Sequence, residues 1–205
     1  MNAPAKKLTL TQRKRIDILN AAREEFMETG FKDTSMDRVA ERAQVSKRTV
    51  YNHFPSKEKL FAAIIGEFIR EMQQAITVEY DSALSLDQQL REIATREVKQ
   101  VTAENYVAVF RVFLAEVGNF PELFSEALAA NSSGHNPVEE WMRAACEDGR
   151  LAMTNIPLAA NQFVSMLKGA LFWPLVAGYS EPASAAERKA VIDGAVAMFL
   201  NHYQA

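Results

Sequence analysis

The sequence predicts an all-α protein: a small N-terminal module of three helices, a long connecting helix and a larger helical body. Three observations carry this. Apolar residues recur at i, i+3, i+4 and i+7 through most of the 205 residues, and no apolar/polar alternation or hairpin pair interrupts them. Capping residues, Gly and Pro punctuate these periodic stretches where helices start and stop. A hydrophobic content of 48% with a single cysteine, Cys146, lets the chain bury a sizeable core without disulfides.

The first helix is expected from about Thr11 to Thr29, with Ile18, Ala22 and Phe26 on one face, Gly30 as its stop and Phe31 turning back to the core. Thr34 is expected to cap a second, short helix, with Asp37 three residues on and Met36, Val39, Ala40 and Ala43 facing inward. Ser46 caps a third, with Val45 placed to staple against Val50, and Pro55 ends it. A fourth starts at Ser56 and carries an apolar stripe from Leu60 to Ile76, reaching about Tyr80; some 22 residues would span roughly 33 Å. Further helices are expected near 85–101, 103–118, 121–130, 137–148, 157–178 and 184–203. Ser85, Asn136 and Ser184 cap three of them, and Pro174 kinks the one over 157–178.

Charge is distributed unevenly. The first 60 residues hold 13 of the 23 basic residues and 8 of the 26 acidic ones, so a basic module sits on an acidic body. That pattern suits polyanion binding confined to the N-terminal part. No leader-like or membrane-spanning apolar run is present, and the cysteine usage fits a reducing compartment, so a cytoplasmic protein without membrane association is expected. His53, His135 and His202 lack metal-ligand spacing, and no metal or cofactor is expected. Nor is there HExxH, CxxC, GxSxG or a phosphate-cradling glycine loop, which argues against an enzyme.

Two short helices joined by the tight turn Gln44-Val45 match a helix-turn-helix, whose second helix enters the major groove of DNA. In "VSKRTVYNHF", residues 45–54, Val50 and Phe54 share the inward face, while Lys47, Arg48, Tyr51 and Asn52 share the outward one. Lys47 and Arg48 can donate to guanine O6/N7 or to phosphate. Tyr51, Asn52 and His53 can donate to phosphate, and Thr49 can do so or touch a thymine methyl. Lys57, in the first turn of the next helix, and Thr34 and Ser35, before the second helix, are further phosphate candidates. A solvated polar face would also use such residues; the conjunction of capped helices, tight turn and clustered donors favours DNA.

Residues 21–61, "AAREEFMETGFKDTSMDRVAERAQVSKRTVYNHFPSKEKLF", resemble the N-terminal DNA-binding domain of the TetR/AcrR family of bacterial transcriptional regulators. The resemblance implies base or phosphate contacts for Lys47, Arg48, Thr49 and Tyr51, and mainly phosphate contacts for Thr34, Ser46, Asn52, His53 and Lys57. Gln44 occupies a turn site where the family often has glycine; a positive φ there would cost on the order of 1 kcal/mol. Arg48 stands where many relatives carry a small residue, so base readout is expected to be enlarged. The segment "FRVFLAEVGNFPELFSEAL" resembles the C-terminal domain of an AefR-like subgroup.

A helix-turn-helix monomer reads few base pairs, so a homodimer on a palindromic double-stranded operator is expected. The last helix carries an apolar arc wider than one buried stripe, and the resemblance implies that the C-terminal helix pair forms the dimer interface; Val191, Ala195, Met198 and Phe199 are its candidates. The resemblance also implies a small, largely hydrophobic effector that releases the operator. Phe68, Met72, Phe110, Phe113, Trp141, Phe163, Met166 and Trp173 could line its pocket, although a plain core uses the same residues at the same spacing. The domains are then 1–55, binding DNA, and 56–205, binding effector and partner subunit. The chain reads as a repressor; the alternative is a DNA-binding protein whose C-terminal domain is a protein-interaction module without a small ligand. Cys146 reads as a buried or half-buried small hydrophobe, with a redox sensor as the alternative.

Overall fold

A computed structural model describes residues 9–122, 125 and 136–205. Helix α1 (Leu10–Asp33) starts just ahead of the expected Thr11, because Thr9 and Gln12 close a capping box: the Thr9 hydroxyl accepts from the Gln12 amide and the Gln12 side chain from the Thr9 amide. Gly30, at φ 74° and ψ 173°, breaks the helical geometry where the sequence placed the stop. Phe31 beyond it turns inward, its ring centroid 5.6 Å from that of Phe26 and 5.0 Å from that of Phe61.

Helix α2 (Met36–Arg42) is capped by Ser35 and not by Thr34. Thr34 is buried; its hydroxyl donates to the Gly30 carbonyl at 2.8 Å, closing the end of α1 and leaving the next residue to accept from the Arg38 amide. Helix α3 (Lys47–His53) starts at the expected cap, Ser46, and α4 (Lys57–Ala75) follows. Helix α4 stops five residues short of Tyr80. β-Branched Thr77 and Val78 are poor helix formers, and the Thr77 carbonyl instead accepts from the Arg96 guanidinium at 2.5 Å.

Helices α5 (Leu86–Val101), α6 (Glu104–Val117) and α7 (Pro137–Glu147) match the expected spans closely, with Ser85 and Asn136 as caps. The helix expected over 121–130 lies largely outside the described residues, and His135 wholly so. The expected helix over 157–178 is two: α8 (Ile156–Leu171) and α9 (Trp173–Ala177), separated at Phe172 one residue before the kinking Pro174. Helix α10 (Ala185–Tyr203) closes the fold, with Ser184 and Glu187 in a second capping box.

The chain divides into two compact units, Met1–Phe68 with Val112–Asn131, and Ile69–Arg111 with Ser132–Ala205. In the first, Ile18, Ala22, Val39, Val50 and Leu60 have essentially no solvent exposure. In the second, α10 packs on α5 and α8, and α8 on α5 and α7. Trp141, Phe163, Leu90, Met142 and Val196 fill its centre, with Cys146 half-buried against them. Among the described residues there is no strand beyond an isolated bridge, Leu151 to Gln204, no helix long and apolar enough to cross a membrane, and no group of acidic, His or Cys side chains that could hold a metal.

Candidate nucleic-acid interface and a cavity with a buried carboxylate

The turn between α2 and α3 is set by backbone bonds. The Val45 amide donates to the Ala40 carbonyl at 3.0 Å, and the Gln44 amide to Glu41 at the same distance. Gln44 takes φ 54°, the left-handed value for which glycine is the usual choice. The side chains that fix α3 then point inward. Val50 and Phe54 are buried, and the Arg15 guanidinium lies 4.6 Å from the Phe54 ring centroid, covering the end of the helix with a cation–π contact that sequence spacing did not reveal.

The opposite face of α3 is open. Lys47, Arg48, Tyr51 and Asn52 are exposed, with Tyr51 at 49%, and Thr49 and His53 are half-buried on the flanks. Lys47 is paired with Asp37 of α2 at 2.5 Å. Ser46 and Thr49 bond each other at 2.8 Å, so Ser46 serves the cap. Ser35 is exposed at the start of α2, whereas Thr34 is not.

Lys57 is engaged internally. Its ammonium donates to the carbonyls of Phe31, Lys32 and Thr34 at 2.7, 3.0 and 3.0 Å and lies 4.6 Å from the centroid of the Phe31 ring. It thereby neutralises the carbonyl end of α1, where a cation is favoured, and ties α4 to it.

A second feature that the sequence reading missed is the buried Glu25. Arg42 lies 2.9 Å from one of its oxygens and Arg38 3.0 Å from the other, so α2 grips α1 through a carboxylate. Arg42 also forks onto Glu28 at 2.8 and 2.6 Å; that hydrogen bonding holds the Glu28 carboxyl below its usual range and the guanidinium above its own. The signal was present in Arg38 and Arg42, an i, i+4 pair, but their acidic partners are too distant in sequence for spacing to link them.

In the second unit, a cavity of about 510 Å³ lies between α5, α7 and α8 and the segment around Ile76. Of the aromatic and Met residues considered as its lining, Trp173 reaches it. Trp141 and Phe163 are sealed in the core, the Trp141 indole N–H donating to Gln89 at 3.1 Å. Phe110 packs its ring on Phe172 and Trp173 at 4.9 and 5.7 Å. Met166 faces a different surface groove, shared with Met198 and Tyr203. Phe113 is buried and Phe68 half-buried in the first unit, and nothing is described of the Met72 side chain.

The cavity wall is half polar, and its least expected member is Glu97, only 1% exposed. The Lys168 ammonium lies 3.1 Å from one oxygen, out of line for a hydrogen bond, and neither carboxylate oxygen has a hydrogen bond among the described residues. Burial, and the charge of Glu97, push the Tyr106 hydroxyl's pKa well up, so Tyr106 stays neutral.

Of the four interface candidates on α10, Ala195 and Phe199 are buried inside their own chain, Val191 is half-buried, and Met198 is 58% exposed. A face available to a partner therefore has Met198 and not Phe199 on it.

Comparisons with known proteins agree along the whole chain. Residues 18–64 match the model of the bacterial regulatory proteins of the tetR family, and residues 88–205 that of the AefR-like transcriptional repressor C-terminal domain. The HTH-type transcriptional regulator YhgD of Bacillus subtilis is 46% identical over 57 residues, 28% of this chain and 30% of that protein's length, so the alignment spans less than a third of this relative. The crystal structure of a TetR family transcriptional regulator from Pseudomonas syringae pv. tomato is 38% identical, covering 95% of this chain and 99% of that one with a TM-score of 0.76. The flavonoid-responsive regulator FrrA is 30% identical over 94% of this chain and 97% of its own, with a TM-score of 0.78. With both halves matched, and a relative of this identity aligned end to end, the chain belongs to the TetR family of transcriptional regulators.

Proposed function

We propose that the protein is a homodimeric repressor that binds a palindromic operator through residues 1–55 and is released when a small molecule occupies the domain formed by residues 56–205. The observation that carries the reading is the face of α3: Lys47, Arg48, Tyr51 and Asn52 stand exposed on a helix pinned from behind by Val50 and Phe54. Arg48 is the base reader, a long bidentate donor in the first turn, and Lys47, Thr49, Tyr51, Asn52 and His53 supply phosphate and further base contacts. Ser35 joins them at the start of α2, while Thr34, Ser46 and Lys57 hold the scaffold.

The effector half of the reading rests on the cavity. Gln73, near the C-terminal end of α4, lines it together with Ile76 just beyond, and α4 begins at Lys57, the residue tied to α1. A ligand that alters the end of α4 can bias the spacing of two recognition helices, provided that it binds the non-operator state more tightly. The response of FrrA to flavonoids, by its name, supports a small-molecule-responsive regulator. Dimerisation uses the outward faces of α8 and α10, where Leu158 and Met198 are exposed.

Selection of bound sequences from a random double-stranded pool tests the first half. An inverted repeat should emerge, and with about 6 phosphates neutralised per dimer the logarithmic salt slope on it should be near −5. A pool that returns no motif, or an affinity indifferent to salt, refutes DNA recognition. Arg48→Ala should keep binding but loosen the selected motif at one position per half-site, by about 1–3 kcal/mol of discrimination.

A further inference from the structure

We propose that Glu97 is the recognition residue of the cavity, and that the cavity takes a neutral aromatic molecule carrying a hydroxyl group, which donates its proton in a hydrogen bond to the Glu97 carboxylate. This deepens the effector-released reading and rests on it for its biological meaning, though not for its chemistry.

A carboxylate offers about four acceptor positions. Lys168 supplies charge from 3.1 Å without hydrogen-bond alignment, and no described group donates to either oxygen. Elsewhere on this wall Ser165 donates to Asn161 at 3.0 Å, and Asn136 to Glu139 at 2.9 Å. Glu97 is the buried acceptor on this wall to which no described group donates, and a group arriving with a donor would give it a hydrogen bond.

Charge then selects among donors. The Glu97–Lys168 pair is neutral as a unit, and Lys168 is itself only 22% exposed. An anionic ligand would bring a second negative charge to a buried carboxylate, and a cation would have to compete with Lys168 for it. A hydroxyl does neither. The remainder of the wall suits the rest of such a molecule: Ile76, Val138, Ala160 and Val164 are apolar, and the Trp173 indole offers a ring to stack on. A volume of about 510 Å³ accommodates two or three rings.

Isosteric probes test this on the full-length protein by titration calorimetry: 4-phenylphenol, biphenyl and 4-phenylbenzoate, which share a skeleton and differ in the polar group. The phenol is expected to bind at least about tenfold more tightly than either of the others, because a site with an unpaired buried acceptor discriminates against ligands without a donor. Glu97→Gln should weaken the phenol about tenfold and leave biphenyl within about twofold. Since removing one member of a buried pair can unfold a protein, the double variant Glu97→Leu/Lys168→Met, which keeps the volume apolar, is measured beside it. It should bind biphenyl at least as well as the phenol.

Equal binding of phenol and biphenyl to the wild type, preference for the benzoate, binding of none of the three, or a phenol preference that survives in the double variant overturns the proposal. A parallel measurement of release from the selected operator separates this inference from the reading beneath it. Phenol binding through Glu97 without release leaves the ligand site standing and refutes effector control. Release by a compound whose affinity ignores Glu97 does the reverse.

Discussion

At the scale of single residues, Gln44 shows how a departure from expectation becomes a measurable quantity. Its φ of 54° puts a side chain into a conformation that L-residues adopt at a cost. Gln44→Gly should therefore be neutral to stabilising, by up to about 1 kcal/mol, the relief of strain being partly offset by the freer unfolded chain. Gln44→Val should destabilise by more than that, since a β-branched residue tolerates this region worst. Urea denaturation measures both. Lys57 makes a complementary case. Three carbonyls accept from its ammonium, so Lys57→Ala should lower stability by about 2 kcal/mol in the same assay, and any loss of operator affinity should track the loss of folded protein rather than a change in salt slope. The residue type and position of Lys57 were legible from the sequence; its partners were not, because they are the bare carbonyls of a helix end some 25 residues earlier, which no side-chain pattern announces.

At the scale of elements, local signals were read well and non-local ones poorly. Ser46, Ser85, Asn136 and Ser184 each cap the helix expected of them, because a cap is decided within four residues. Thr34 failed as a cap because Gly30 offered its hydroxyl a carbonyl, a competition between neighbouring helices that the sequence leaves open. Helix α4 ended early for want of helix formers after Ile76, and Pro174 made two helices where one was expected. The docking of α2 on α1 depends on Glu25 between Arg38 and Arg42. Removing it with Glu25→Leu leaves Arg42 its fork on Glu28 and Arg38 open to solvent, so the loss should be about 1–3 kcal/mol, seen as a lowered Tm. Differential scanning calorimetry, compared with the conservative Asp33→Asn at an exposed site, isolates that effect.

At the scale of the whole molecule, what sequence reading could not supply was which side of an apolar helix faces its own chain. Phe199 and Ala195 looked like a partner surface and proved to be core, and the aromatic and Met residues gathered as a pocket lining are spread over the two cores, a ring cluster and a surface groove, with Trp173 on the cavity wall. Periodicity reports that a face is buried, never against what. The exposed Met198 is where the proposed dimer is most easily tested: Met198→Glu should shift the mass in solution towards the monomer by light scattering and reduce operator affinity at least about tenfold, since both half-sites are then no longer held by one particle. One further property follows from the two tryptophans alone. Trp141 is sealed in the core with its indole N–H satisfied, while Trp173 is 46% exposed and stands on the cavity wall. The intrinsic emission of this protein therefore has a blue, shielded component and a red, quencher-accessible one. Acrylamide should extinguish only the second, and a molecule seated in the cavity should protect it, so the chain carries its own optical gauge of occupancy and needs no attached dye.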